Sequence, residues 1–378
     1  MIMTEHNNFD NLNLKQELLE GVYLYGFKKP SKIQIEGINA INTSKDCLLQ
    51  SQSGTGKTCT YLLGILNKLN DKDKALILVP TRELAEQVFN VSTQITKKSN
   101  LKSCLCIGGI NLGKNIRDIK SSNLIICTFG RMFHFIKDKK INLDKISLFA
   151  IDEADDLLNS DYIKQIKELI KDLKDNTQIL LISATISKNL INFVDTNLKE
   201  PIKILLKKEN VVLNLINQYY LDVEEEENKF EIILDLYNLF STSQVIIFCN
   251  TIRKVAWLAE ELQKNNFTIT CIHGKMTYEE RVEIVKEFRN GNTRILLTTD
   301  LLARGIDIPQ VNMVINYDLP MNKETYIHRI GRCGRFGKKG VSITLVKMKD
   351  QTDVFQFKKM KNSYRLNITE LPDEISID

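Results

Sequence analysis

The chain has 378 residues, of which 43% are hydrophobic and 26% charged, and a formal net charge of +5 at pH 7. One hydrophobic core rarely organises a chain this long, so two domains of similar size are expected, and the ordinary composition excludes collagenous and disordered classes. No apolar run approaches the roughly eighteen residues of a membrane helix, and the polar start MIMTEHNNFD lacks the pattern of a secretory signal.

Eight cysteines contain no C-x-x-C pair, and Cys104 and Cys106 would share one strand face, so reduced core thiols are expected. Strand-like runs alternate with amphipathic stretches, the signature of parallel α/β sheets. CLLQ at 47–50 is the first strand and KTCTYLLGILNKL reads as a helix, so SQSGTG between them turns backbone N–H groups and a helix dipole toward an anion. A phosphate loop begins with Gly, and here Ser51 holds that position. Gly54 and Gly56 suit the backbone angles such a loop needs, Lys57 can reach terminal phosphates, and Thr58 can offer its hydroxyl to magnesium. Alone, this pattern leaves a nucleotide pocket and a tight strand-to-helix turn equally open.

Further strands are expected at 75–79, 124–128, 148–151 and 178–183, apolar on both faces as central parallel strands should be. Ile163, Ile166, Leu169, Ile170 and Leu173 form one helical stripe, which core packing explains. The strand LFAI delivers Asp152 and Glu153 at its carboxyl end. Parallel sheets bind ligands at that edge, where one carboxylate can hold magnesium and its neighbour can orient or deprotonate water.

After 200–206 the pattern loosens, and the linker is placed at 207–216, between domains at 1–206 and 217–378. The acidic run at 224–227 is expected to open a helix as a solvated first turn, where negative charge suits the dipole. Strands follow at 244–250, 268–274, 294–300, 311–318 and 341–346. Arg329, Arg332 and Arg335 then recur at three-residue steps near glycines, and their planar forks pair well with phosphate oxygens.

With DEAD at 152–155 and HRIGRCGR at 328–335, the chain resembles the DEAD-box RNA helicases over nearly its whole length and in that family's motif order. It is most similar to the initiation factor 4A branch. The resemblance implies two tandem RecA-like domains, each a mostly parallel sheet flanked by helices, joined by a short linker. It implies ATP and Mg2+ as cofactors, with Ser53, Gly54, Thr55, Gly56, Lys57 and Thr58 on the phosphates, and Thr58 and Asp152 on the metal. Phe27 and Gln34 would read adenine, Phe9, seventeen residues before Gly26, matches an upstream aromatic, and Asp307 would reach the ribose. Lys57, Asp152, Glu153, Arg332 and Arg335 would be catalytic, and Asp155, Ser183, Thr185 and His328 would couple the sites.

RNA contacts carry over to Pro80, Thr81, Arg82, Gly108, Gly109, Thr128, Gly130, Arg131, Thr251, Arg253, Arg281 and Thr299. Small residues and helix starts there can hold a sugar-phosphate backbone without reading bases. Three departures stand out: Phe129 replaces a proline, Tyr278 a glutamine, and Cys333 fills a small, variable site.

The implied activity is an RNA-dependent ATPase and helicase that opens short RNA duplexes in translation initiation. A nuclear relative acting in splicing-linked complexes or ribosomal RNA processing is the alternative. The resemblance implies specificity borrowed from a helical-repeat scaffold such as initiation factor 4G; a monomer is expected when alone, in the cytoplasm or, on the alternative, the nucleus. A non-catalytic RNA clamp is the rival class, and the intact Lys57, Glu153 and Arg335 argue against it.

Overall fold

Continuous apolar runs separated by amphipathic helices build two parallel sheets. The structure, a computed structural model, describes residues 8–51, 54–159, 161–205, 215–239, 244–300, 311–334, 339–363 and 366–372. The chain divides into one unit made of Met1–Ser51 and Thr55–Leu205 and a second that includes Leu206–Asp378.

The first unit contains β1 (Cys47–Gln50), β2 (Lys74–Val79), β3 (Ser103–Cys106), β4 (Leu124–Thr128), β5 (Ile146–Ile151), β6 (Gln178–Ser183) and β7 (Ile202–Ile204). Its sheet has the order β3-β4-β2-β5-β6-β1-β7, with every pairing parallel. All residues of β1 and β6 are buried, as sheet positions covered on both faces must be. Leu48, Leu76, Ile125, Phe149 and Leu181 from five strands join one core, to which the helix Ile163–Asp172 adds Ile166 and Leu169.

The second unit contains β8 (Ile216–Asp222), β9 (Gln244–Phe248), β10 (Ile269–Ile272), β11 (Ile295–Thr298), β12 (Val311–Asn316), β13 (Gly340–Val346) and β14 (Ile368–Glu370). Its order, β10-β11-β9-β12-β13-β8-β14, is that of the first sheet with seven added to each label, and its pairings are also parallel. The two units therefore repeat one topology.

The short edge strands β7 and β14 were not expected, and three further details depart from the sequence reading. Most of the expected linker, residues 207–214, lies outside the described residues, and Ile216, its last residue, opens β8. The polar letters of INQYYLD obscure β8, which nonetheless pairs on both sides. Its Gln218 is buried and accepts a hydrogen bond from Tyr326 Oη at 3.0 Å. The acidic run precedes the helix Asn228–Leu239 and does not form its first turn. Glu226 in that run accepts from the Nζ atoms of Lys229 at 2.8 Å and Lys254 at 2.7 Å, so it is not merely solvated. The eight cysteines are free thiols, and all but half-buried Cys271 are buried.

Candidate nucleotide and RNA sites

The order of the first sheet sorts its loops. β5, β6 and β1 are neighbours, so the segments at their carboxyl ends, 152–155, 183–185, and Ser51 with 55–58, lie side by side. The phosphate loop passes from β1 into the helix Lys57–Lys68 through Gly54 and Gly56, whose φ angles of 78° and 93° are left-handed. A Cβ at Gly56 would also come within 2.7 Å of Gln34 Nε2. Lys57 Nζ donates to the Ser51 carbonyl at 2.7 Å, and the Ser51 hydroxyl bonds that of Thr55. Position 51 thus serves chiefly through its backbone. Ser53 lies outside the described residues.

Gln34 sits in the first turn of the helix Lys32–Asn42, where its Oε1 accepts from Ser31 N at 2.7 Å as half of a capping box. Ser31 Oγ donates to the Thr55 carbonyl at 2.9 Å, tying this helix start to the phosphate loop. Gln34 is buried, yet its Nε2 has no hydrogen-bond partner among the described residues. An orphan amide donor beside a glycine cradle fits a nucleotide base edge. Phe27 is half-buried, stacks on Tyr25 with centroids 5.3 Å apart, and lies 6.2 Å from fully buried Phe9.

Asp152 and Glu153 are both buried at the end of β5. Asp152 Oδ1 accepts from Glu153 N at 2.9 Å, and Oδ2 accepts from the hydroxyl of Tyr61 at 2.8 Å. Burial, reinforced by the Glu153 charge, pushes the Asp152 carboxyl up to about 7. Paired buried carboxylates beside a phosphate loop form a donor set suited to a divalent cation, with Thr58 as a half-buried hydroxyl nearby in sequence. Burial and the Asp152 charge likewise keep the Tyr61 phenol protonated. Glu153 itself takes a left-handed φ of 50°, a costly backbone state for a non-glycine residue of the kind that gathers at functional sites. Asp155 accepts from the Thr185 hydroxyl, and Ser183 Oγ donates to the Thr185 carbonyl at 2.6 Å, which joins the loops after β5 and β6.

The other half of the sheet, β3-β4-β2, gathers the expected RNA contacts at the same carboxyl edge. Pro80 precedes Thr81, which caps the helix Arg82–Ile95 by accepting from Leu84 N at 3.2 Å. The Arg82 guanidinium lies against Gly108, where a Cβ would come within 2.6 Å of Nη2, and the next residue, Gly109, has a φ of 97°. Arg131 Nη2 donates to the Ile110 carbonyl at 2.9 Å, so the loop after β3 is held by arginines from two helix starts. Thr128 precedes the helix Phe129–Lys137 without making a side-chain cap, and Gly130 faces open space. Phe129 stacks on Tyr162 with centroids 4.0 Å apart, so aromatic packing anchors the helix start where a proline was expected.

In the second sheet β10-β11-β9 form the corresponding half. Thr251 caps the helix Ile252–Lys264 by accepting from Lys254 N at 3.2 Å, Arg253 is exposed, and Thr299 is half-buried after β11. Arg281 is buried on the helix Tyr278–Arg289, whose first residue is Tyr278. On the other half, the helix Lys323–Ile330 carries buried His328, and Arg332 Nε donates to the His328 carbonyl at 3.2 Å. Cys333 is buried beside Gly340. Asp307 and Arg335 lie outside the described residues.

Sequence reasoning missed two residues. Tyr61 lies four residues after Lys57, a helical spacing that places both on one face and offered a signal. Fully buried Arg329 binds Asp300 Oδ1 at 2.5 Å, Asn250 Oδ1 at 2.7 Å and the Asp318 carbonyl at 2.8 Å, so it joins the ends of three strands. Its place in the arginine series gave no sign of this inward role.

The DEAD/DEAH box helicase family matches residues 31–193, and the helicase conserved C-terminal domain matches residues 228–337. The chain is 43% identical to the ATP-dependent RNA helicase FAL1 of Meyerozyma guilliermondii over 97% of this chain and 93% of that relative. It is 42% identical to eukaryotic initiation factor 4A of Caenorhabditis elegans over 98% of this chain and 92% of the relative. Among solved structures, S. cerevisiae Dbp5 bound to RNA and ADP BeF3 superposes with a TM-score of 0.90 at 33% identity, covering 97% of this chain and 96% of that one.

Proposed function

This chain belongs to the DEAD-box family of ATP-dependent RNA helicases, and from that premise we propose that it opens short RNA duplexes during translation initiation, hydrolysing ATP when RNA is bound. In this reading residues 1–206 form the ATP-binding domain, 207–216 the linker and 217–378 the helicase domain. The observation that carries the ATPase reading is the convergence of the phosphate loop, Asp152 and Glu153, and the 183–185 segment at adjacent strand ends, with the orphan Gln34 amide beside them.

Bound magnesium would supply charge compensation on the phosphates, held by Thr58 and Asp152. Gln34 reads the base edge and Phe27 packs against it. Lys57 exchanges the Ser51 carbonyl for phosphate oxygens, and Glu153 orients water and takes its proton. Arg332 and Arg335 belong to the second unit, so turnover requires that unit to close on ATP and RNA and to deliver arginines to the charge that develops. Asp155, Ser183, Thr185 and His328 couple that closure to RNA. RNA lies along 80–82, 108–109, 128–131, Thr251, Arg253, Arg281 and Thr299, contacted through its backbone. The protein partner is a helical-repeat scaffold such as initiation factor 4G, engaged by a cytoplasmic monomer.

Steady-state ATPase with and without single-stranded RNA tests the mechanism. RNA should stimulate the wild type, and Glu153→Gln should lower turnover by about a hundredfold or more. Absence of stimulation, or undiminished turnover in the variant, overturns it. A second reading rests on the equally similar FAL1 relative: a nuclear helicase in splicing-linked complexes or ribosomal RNA processing. Co-purification decides between them, since recovery of splicing or ribosome-assembly proteins in place of initiation factors defeats the translation reading.

A further inference from the structure

The helix that begins in the phosphate loop carries two groups toward the end of β5. Lys57 is the first, and Tyr61, one turn later, is fully buried with its hydroxyl 2.8 Å from Asp152 Oδ2. The Glu153 N–H holds the other oxygen at 2.9 Å. Both carboxylate oxygens are therefore engaged, and the group cannot turn without losing both bonds. Each oxygen keeps a second lone pair, so the clamp orients the carboxylate without filling its acceptor capacity. A phenylalanine would keep the buried ring and lose only the hydroxyl, so Tyr61→Phe isolates the bond to Asp152 from the packing of the ring.

Resting on the reading of Asp152 and Thr58 as the magnesium-holding pair, we propose that Tyr61 is a positioning residue for that pair, fixing the Asp152 carboxylate in the orientation that receives the magnesium of Mg·ATP. Partners of this kind set the orientation of metal ligands, and their removal typically lowers metal affinity tenfold or more.

The test is equilibrium binding of a fluorescent ATP analogue to the full chain across a Mg2+ titration and in EDTA, for wild type, Tyr61→Phe, Asp152→Asn and the double variant. Tyr61→Phe should raise the Mg2+ concentration for half-maximal binding by about tenfold, leave binding in EDTA unchanged, and add nothing further in the Asp152→Asn background. No shift, an equal weakening with and without Mg2+, or full additivity with Asp152→Asn overturns the proposal. A packing defect would act equally with and without the Asp152 charge, so the double variant separates positioning from loss of structure. If Asp152→Asn leaves the Mg2+ dependence unchanged, the metal reading of Asp152 fails and Tyr61's role fails with it. If only Tyr61→Phe is silent, the metal reading stands and the positioning role is refuted.

Discussion

Ser51 shows how a side chain can depart from a motif while the backbone keeps its work. Its carbonyl accepts from Lys57 and its N–H donates to Ser183 O at 3.2 Å, and neither bond depends on the residue being glycine. Ser51→Ala should retain ATPase turnover within a few-fold, because only the hydroxyl contact with Thr55 is lost. Gly56→Ala should abolish turnover, since the new Cβ meets Gln34 on a backbone already at positive φ, and Lys57→Ala should do the same by removing the phosphate-reaching cation. One set of ATPase assays checks all three. These residues were legible in the sequence because their chemistry is local. For Tyr61 the spacing from Lys57 was the one local sign, and Arg329 had none, because their meaning lies in partners 91 and 29 positions away.

At the scale of elements, strands with unbroken apolar runs were readable, whereas β8 was hidden by Asn217 and Gln218. A buried glutamine looks like a loop residue until its partner, Tyr326, is in place. The helix start at Phe129 illustrates a substitution of means: the stack on Tyr162 replaces the preset backbone of a proline. Phe129→Ala should lower unfolding free energy by about 3 kcal/mol, measured by urea denaturation. The loops after β9 and β12 are joined by Asp318, which accepts from Lys254 Nζ at 2.7 Å and from Asn250 N at 2.8 Å. Burial alone would raise its pKa, but these bonds outweigh burial and hold it below the usual value. A depressed folded-state pKa contributes stability that is present above the unfolded value of about 3.9 and lost as pH falls through the folded one. Denaturant midpoints should therefore drop steeply as pH falls below about 4, and Asp318→Asn should be less stable at neutral pH with a flatter acid profile.

Across the whole molecule, the alternation of strands and helices announced two α/β units, and DEAD with the arginine series announced their chemistry. Strand order was not legible, because crossovers are decided by which hydrophobic faces meet and not by local pattern. That order puts the phosphate-loop and DEAD segments on one half of the first sheet's carboxyl edge and the proposed RNA contacts on the other. RNA held by helix starts and small residues should bind without sequence preference, and log affinity should fall linearly with log salt, as titration of unrelated single strands will show.

The shared strand order also brings the loop after β8 to the topological place that the phosphate loop holds after β1. In the second unit that place carries no glycine cradle but Glu226, ion-paired with Lys229 and Lys254, so the cations that would attract a phosphate already face a carboxylate. Saturation binding of ATP is therefore expected to end at one nucleotide for each polypeptide, and a second equivalent would show that this loop admits phosphate after all.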